Sequence, residues 1–161
     1  MIQGTAYKFG DNVNSDIIIP GRYLIHIDAP TLGGYAFEPL GKETQERIKQ
    51  HSILIAGRNF GCGSAREQAA TAIQGIGIKA VVAASFARTF YRNAINDGLP
   101  IVECPAAYEA ASEGDEVAID LAAGVVTVRG KQYSFPKMPD SVRHILEAGG
   151  LAASLKATLN Q

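Results

Sequence analysis

The chain has 161 residues, of which 47% are hydrophobic and 19% are charged. Its 16 acidic and 15 basic residues give a net charge of -1, which argues against a nucleic-acid-binding protein because such proteins carry a basic excess. The length and composition predict one globular domain covering residues 1–161. The N-terminus lacks the basic start and apolar run of a signal peptide, and no stretch of about 18 apolar residues occurs. We therefore expect a cytoplasmic protein.

The first two thirds of the chain are predicted to begin irregularly and then to alternate between strands and helices. The first ten residues predict a short strand, and residues 10–41, with three prolines and five glycines, predict a long loop that is functional or mobile. Short apolar runs predict buried strands at 52–56, 80–84 and 100–104. Segments between them predict helices at 64–74 and 86–96. This alternation indicates parallel βαβ units.

The last third of the chain has a different pattern. Residues 116–121 and 125–129 alternate between apolar and polar residues, with Ala122-Ala123-Gly124 between them as a hairpin turn. Residues 132–135 are expected to add an edge strand. A final helix is predicted from Asp140, as its N-cap, to Gly149-Gly150. The whole chain is therefore predicted to be a mixed α/β domain.

The most informative segment is the Gly57–Glu67 turn, which joins a predicted buried strand to a predicted helix. Such a turn offers free N–H groups and a positive dipole end to an anion, and its glycines let a ligand approach the backbone. The turn does not match any of three common motifs. Gly63 stands where a Walker A loop needs Lys, and Arg66 stands where a dinucleotide fingerprint needs a small residue. The glycines of a hydrolase nucleophile elbow are also out of register.

Two interpretations compete for Ser64 and for Arg66. Ser64 with Glu67 forms a capping-box pattern, so Ser64 could be a helix N-cap, or it could face an anionic substrate. Arg66 could be a solvated charge, or its guanidinium could bind a carboxylate with two hydrogen bonds. A cation in the first turn of a helix opposes the helix dipole, which favours the binding role.

Metal-binding residues are sparse. The two cysteines, Cys62 and Cys104, are too few for a disulfide scaffold, a four-thiolate cluster or a Cys-rich zinc site, and we expect them to be free and buried. The three histidines, His26, His51 and His144, are scattered along the chain. No metal site is predicted on this chain.

Three segments together resemble the small subunits of isopropylmalate dehydratase, a family of the aconitase superfamily. They are Gly10–Leu24, Gly57–Glu67 and Ala83–Pro100. The resemblance implies a β/β/α swivelling domain of the aconitase type, in the α/β class, with a mixed sheet and helices. It also implies a hydro-lyase that isomerises 2-isopropylmalate to 3-isopropylmalate by dehydration and rehydration.

The resemblance further implies a division of labour between two chains. A large catalytic subunit is expected to carry a [4Fe-4S] cluster, one iron of which acts as a Lewis acid. This chain is expected to bind no cofactor and to act only in a heterodimer or heterotetramer with that subunit. Neither the stoichiometry nor self-association of the isolated chain follows from the sequence.

Site residues carried over from the family lie in all three segments. Ser64 is the implied catalytic base, supported by Gly63 and Arg66. Asp16 matches an acidic residue near the active site, with a turn-stabilising role as its structural alternative. Arg88 and Arg92 are four residues apart on a predicted helix and share a face, without an assigned role beyond a solvated face or a contact with the large subunit.

Substrate choice is expected to depend on a flexible loop at about residues 21–40. Within it, Tyr23, Leu24 and Ile25 are the implied substrate-binding residues. The apolar Ile25 favours an isopropyl or methyl group over a carboxylate, although it could also simply pack against the domain. A related dehydratase of dimethylmalate, citramalate or homoaconitate remains an alternative. A stand-alone anion-binding module and an assembly protein without a site are alternatives of other classes.

Overall fold

The computed structural model describes residues 1–160. Within them, seven strands form one mixed sheet: β1 (Ile2–Lys8), β2 (Ile53–Ala56), β3 (Ala80–Ala83), β4 (Ile101–Glu103), β5 (Glu116–Asp120), β6 (Val125–Val128) and β7 (Lys131–Ser134). Their order across the sheet is β4-β3-β2-β1-β5-β6-β7. Strands β1 to β4 pair in parallel, and β1, β5, β6 and β7 pair antiparallel. The predicted βαβ units, the hairpin and the edge strand β7 are confirmed.

Eight α-helices accompany this sheet in the described residues: α1 (Ser15–Ile18), α2 (Ala29–Tyr35), α3 (Lys42–Lys49), α4 (Gln68–Gly75), α5 (Arg88–Asn96), α6 (Pro105–Ala110), α7 (Asp140–Ala148) and α8 (Leu151–Leu159). Two 3-10 helices cover Gly21–Tyr23 and Glu38–Leu40. Among residues 1–160, no helix combines the length and apolarity needed to cross a membrane.

The sheet separates two hydrophobic cores. Along β2, Leu54 points into the core that contains α2, α4 and α5, whereas Ile53 and Ile55 point into the core that contains α6 and the hairpin. All four residues of β2 and all four of β3 are buried. Burial on both faces explains why these strands are continuous apolar runs, as is usual in parallel sheets.

The prediction of a structureless loop at 10–41 is wrong. This segment contains α1, α2 and both 3-10 helices. Asn14 caps α1 by accepting a hydrogen bond from the Asp16 N–H, and Asp28 caps α2 by accepting one from the Thr31 N–H. These helices span four to seven residues, too short to produce a readable helical period. The predicted mobility of residues 21–40 stays a prediction.

The C-terminal end also differs from the prediction. Helix α7 is not the final one, because α8 starts directly after the Gly149-Gly150 pair. Both glycines have positive φ angles, which end α7 and redirect the chain without needing a loop. Asp140 is the first residue of α7, and the cap position is taken by Pro139, which makes no side-chain cap.

Helices α2 and α4 meet at a glycine contact. A Cβ added to Gly33 would lie 2.2 Å from the Gly75 carbonyl carbon, and one added to Gly75 would lie 1.9 Å from the Ala29 carbonyl oxygen. The two backbones can therefore approach this closely only without side chains at these positions. This contact anchors α2, and with it the preceding residues 21–28, beside the helix that follows the Gly57–Glu67 turn.

Two neighbouring glycines test this contact. Gly33→Ala should destabilise the domain by roughly 1–3 kcal/mol through overpacking against Gly75. Gly34→Ala is the matched control, because its Cβ would meet nothing within 4 Å. It should be neutral or stabilise by up to about 1 kcal/mol, since alanine is the better helix former. Urea unfolding of both variants measures the difference, and equal stabilities would contradict the close approach.

Candidate functional site

The Gly57–Glu67 turn follows β2 and has a backbone that requires glycine at two points. Gly61 and Gly63 have φ angles of 84° and 93°, in the left-handed region. A Cβ on Gly63 would also lie 2.6 Å from the side-chain oxygen of Asn14. Glycine at position 63 therefore serves both the backbone conformation and the close approach of the N-terminal segment.

That N-terminal segment is joined to the turn by backbone hydrogen bonds. The Gly61 N–H donates to the Val13 carbonyl at 2.8 Å, and the Ser15 N–H donates to the Cys62 carbonyl at 2.7 Å. The Ser15 side chain, only 2% exposed, extends the junction by donating its hydroxyl to the Ser64 carbonyl at 2.7 Å. We call these contacts the Val13–Ser64 junction.

The capping-box interpretation of Ser64 is wrong. Helix α4 begins at Gln68 rather than at Ser64, and its cap position, Glu67, makes no side-chain cap. The Val13–Ser64 junction pairs Cys62 with Asn14 as an isolated β-bridge. The backbone at Cys62 is therefore extended, and the helix starts only further along the chain. Ser64 is exposed, and within residues 1–160 its hydroxyl has no hydrogen-bond partner.

Arg66 is held by the N-terminal segment. Its guanidinium, on a side chain that is 14% exposed, forms an ion pair with Asp16 through Nη1. The same nitrogen donates to the Ile19 carbonyl at 2.9 Å. Because α4 begins at Gln68, Arg66 is not in its first turn, and the helix-dipole argument for Arg66 is wrong. The Asp16 carboxylate pairs with Arg66 and accepts no backbone hydrogen bond within residues 1–160, so the turn-stabilising alternative for Asp16 is wrong.

Ser64, Gly63 and Arg66 line a small pocket of about 100 Å³, which also includes the first residues of α5. Helix α5 has no side-chain cap at Ala87, so its first N–H groups are free of side-chain partners. Free N–H groups at a helix start attract anions. The pocket thus combines an unengaged hydroxyl, a positioned guanidinium and a helix N-terminus, which suits a carboxylate-bearing ligand.

Arg88 is a pocket residue to which the sequence assigned no role. It lines the Ser64 pocket and also, with Arg92, a larger neighbouring groove of about 770 Å³. The predicted shared face of Arg88 and Arg92 is therefore confirmed. In the same groove, burial raises the pKa of the Tyr91 phenol, and the nearby Glu103 carboxylate raises it further. Only the spacing of the two arginines hinted at this surface.

The predicted substrate-binding residues 23–25 do not line the Ser64 pocket. Their loop is nevertheless adjacent to it, because the Gln68 side chain donates to the Leu24 carbonyl at 3.3 Å. Ile25 is 84% exposed and Ile27 is 82% exposed. The alternative that Ile25 packs against its own domain is therefore wrong.

The two cysteines lie in different parts of the fold. Both are free, but Cys62 is only partly buried, so the expectation of two buried thiols is wrong for it. Cys104 lies in the core beside the hairpin, with its thiol 3.7 Å from the Ser134 carbonyl oxygen. In the described part of the chain no group of three His, Cys, Asp or Glu residues could hold a metal ion. The residues present do not fit an iron–sulfur cluster.

The sheet order and the Ser64 turn define a domain of the aconitase C-terminal class, and the model of the aconitase C-terminal domain family matches residues 37–107. The 3-isopropylmalate dehydratase small subunit of Caldicellulosiruptor saccharolyticus is 45% identical over all of this chain and 94% of its own length. The small subunit of the same name from Pyrobaculum calidifontis is 46% identical over 97% of this chain and 98% of its own length.

A solved structure agrees with these relatives. The crystal structure of 3-isopropylmalate dehydratase from Methanocaldococcus jannaschii superposes with a TM-score of 0.88 at 42% identity, covering 98% of this chain and 94% of that one. From the same organism, a chain named isopropylmalate/citramalate isomerase small subunit is 42% identical over 97% of this chain and 94% of its own length. The chain belongs to the family of 3-isopropylmalate dehydratase small subunits.

The geometry predicts different stability effects for two serines. Ser64→Ala should change the free energy of unfolding by less than about 0.5 kcal/mol, because the exposed hydroxyl has no protein partner. Ser15→Ala should cost about 1–3 kcal/mol, because it leaves the Ser64 carbonyl without its donor. Urea unfolding of the two variants measures both values. A loss of about 1 kcal/mol in Ser64→Ala would instead indicate a helix cap.

Proposed function

We propose that this chain is the small subunit of a hydro-lyase that isomerises 2-isopropylmalate to 3-isopropylmalate by dehydration and rehydration, acting with a large subunit. The observation that carries the proposal is the unengaged Ser64 hydroxyl, on a residue that lines one pocket together with Arg66 and the start of α5. The chain has this site together with full-length similarity to proteins named 3-isopropylmalate dehydratase small subunit.

Ser64 acts in this proposal as the base that removes the carbon-bound proton during dehydration. A serine hydroxyl is a poor base at neutral pH, so its oxygen must be stabilised as an anion by nearby donors and positive charge. The α5 start and the Arg66 guanidinium supply such charge, and Gly63 keeps the backbone beside Ser64 free of side-chain atoms. Loss of this proton forms a carbon–carbon double bond as the hydroxyl group leaves the neighbouring carbon as hydroxide. In rehydration the hydroxide adds to the carbon that lost the proton, and Ser64 gives its proton to the neighbouring carbon.

Arg66 binds a substrate carboxylate in this proposal. Its Nη1 is occupied by Asp16 and the Ile19 carbonyl, which leaves Nε and Nη2 without hydrogen bonds in the described residues. A guanidinium edge with two free donors matches a carboxylate. Asp16 thus contributes by fixing the orientation of Arg66.

The large subunit supplies the [4Fe-4S] cluster, whose Lewis acidity polarises the substrate hydroxyl when it is bound. The two separated thiols of this chain leave that task to the partner. Residues 1–160 supply the proton-transfer group and a carboxylate site, so catalysis requires the two chains to meet at the Ser64 pocket.

Proton transfer by Ser64 predicts a specific kinetic effect. In a complex reconstituted anaerobically with the large subunit, Ser64→Ala should lower kcat by roughly 10²–10⁴-fold, with little change in KM. Ser112→Ala, at another exposed serine, is the control and should leave both unchanged. A kcat for Ser64→Ala within about threefold of wild type would contradict the assignment.

Iron content, activity and phosphate binding separate the alternatives. The isolated chain should have no hydratase activity and no iron, and near four irons per active chain would overturn the two-subunit proposal. If the complex turns over no substituted malate while the isolated chain binds inorganic phosphate, a stand-alone anion-binding module is the better interpretation.

Methyl-substituted malates are a second candidate substrate class. The relative named isopropylmalate/citramalate isomerase small subunit favours it. Either substrate presents an alkyl group, which the exposed, apolar Ile25 can cover. A tricarboxylate would place a charged group against this side chain without a partner.

Ile25→Arg should therefore shift substrate preference. We expect the kcat/KM ratio of 2-isopropylmalate to homoaconitate to fall by roughly tenfold or more, because the new guanidinium pairs with the extra carboxylate and an alkyl group loses its apolar contact. Ile27→Arg, two residues further along and equally exposed, is the matched control for added charge. An equal shift in both variants would show that position 25 is not the selector.

A further inference from the structure

In the loop that presents Ile25, Tyr23 and Leu24 are partly buried against the core, but the residues on either side of them are exposed. Ile25 and Ile27 are both more than four-fifths exposed, and Gly21 and Arg22 before them are exposed as well. A residue that selects a substrate must nevertheless be held in one place, because misplacement weakens every contact that it makes. The contacts that hold this loop therefore decide how well Ile25 can act.

Glu38 receives the side-chain contacts of both Arg22 and Tyr23. The Tyr23 hydroxyl donates to its carboxylate, lying 2.7 Å from Oε1 and 2.6 Å from Oε2. The Arg22 guanidinium forms an ion pair with Oε1 and lies over the Tyr23 ring, 4.7 Å from its centroid. Two consecutive loop residues thus converge on one carboxylate, immediately before Leu24 and Ile25.

The Tyr23 ring is fixed from the other side by Tyr35. The two rings are stacked, with centroids 3.9 Å apart and planes 4° from parallel. Tyr35 is the last residue of α2, which is anchored on α4 by the Gly33–Gly75 contact. The stack therefore connects the exposed loop to the rigid part of the domain.

The backbone of Glu38 follows directly on a buried residue. The preceding residue, Phe37, is fully buried, and its N–H donates to the Ile18 carbonyl at 2.9 Å. Phe37 adopts a left-handed conformation with φ of 60°, which is uncommon for an aromatic residue and directs the chain into the 3-10 helix that begins at Glu38. A buried anchor thus precedes the carboxylate directly.

We propose that Glu38 is a positioning residue for substrate selection, which holds the Arg22–Ile25 turn through Tyr23 and Arg22 so that Ile25 faces the substrate's alkyl group. This assignment rests on the proposed function. Glu38 touches neither the Ser64 pocket nor the reacting atoms. It acts only through the loop.

The protonation states support this arrangement at neutral pH. The hydrogen bond from Tyr23, followed by that from Arg22, lowers the pKa of Glu38, so its carboxylate is charged. The same carboxylate raises the pKa of the Tyr23 phenol, which therefore keeps its proton to donate. Glu38, Tyr23 and Arg22 therefore have the protonation states that their hydrogen bonds and ion pair require.

Glu38→Gln tests the proposal in the reconstituted complex. It keeps the size of the side chain but removes the charge that Arg22 and Tyr23 share. We expect KM for 2-isopropylmalate to rise roughly 3- to 10-fold while kcat stays within about twofold. The preference for 2-isopropylmalate over citramalate should also change. A loss of folded protein would lower the activity toward both substrates by the same factor and would leave this preference unchanged.

Glu113→Gln is a closely matched control. Glu113 also forms an ion pair with an arginine, Arg47, whose guanidinium also lies over a tyrosine ring, 5.5 Å from the centroid of Tyr7. The hydrogen bond from Arg47 lowers the pKa of Glu113, as happens at Glu38. This pair joins α3 to the segment before β5 and does not touch the loop, so the control should leave KM and preference unchanged.

Hydrogen exchange of residues 22–27 in the same complexes gives a second measurement. Exchange should be faster in Glu38→Gln than in wild type or Glu113→Gln. An active wild type with unchanged KM, preference and exchange in Glu38→Gln would overturn the positioning role, and so would equal changes in both variants. A wild-type complex that turns over no malate would instead remove the proposed function, together with the role that rests on it.

Discussion

The candidate site depends on the Val13–Ser64 junction. Two backbone hydrogen bonds and the buried Ser15 hydroxyl join the N-terminal segment to the Gly57–Glu67 turn. They keep the turn out of α4, so that Ser64 is not consumed as a helix cap. They also bring Asp16 and the Ile19 carbonyl within reach of Arg66, which fixes the guanidinium beside the exposed serine. Serine, which often caps helices, is thereby left with an exposed hydroxyl that makes no hydrogen bond within residues 1–160.

The position of the site follows from the parallel half of the sheet. The turn leaves the carboxyl end of β2, and the segment leading to α5 leaves the carboxyl end of the neighbouring strand β3. A bridge between Phe60 and Phe86 joins these two connections. Ligands of open α/β sheets bind at this end of the strands, where helix N-termini and connecting loops meet. The Ser64 pocket and Arg88 lie at this edge.

The surface around the site is only partly self-contained. The pocket beside Ser64 is small, Arg88 and Arg92 form no ion pair within residues 1–160, and Ile25 projects into solvent. Polar contacts and aromatic stacking add to the partial burial of Tyr23 and Leu24 in the loop that carries Ile25. A small pocket beside an exposed loop is compatible with membership of the small-subunit family.

The sequence by itself determined the parallel strands, the hairpin, the edge strand and the importance of the Gly57–Glu67 turn, because each is specified by local periodicity or by glycine placement. It also placed Asp16 and Arg66 in the same region through family resemblance. Only the tertiary structure decided that Ser64 is not a cap, because its neighbours' hydrogen-bond partners lie some 50 residues earlier in the chain. The helices within residues 10–41 are likewise too short to fold by propensity and depend on packing, as α2 does on Gly75. The pocket that Arg88 lines and the contacts of Glu38 with Arg22 and Tyr23 became visible only in three dimensions, since a charged residue in sequence does not reveal which pocket or loop it meets.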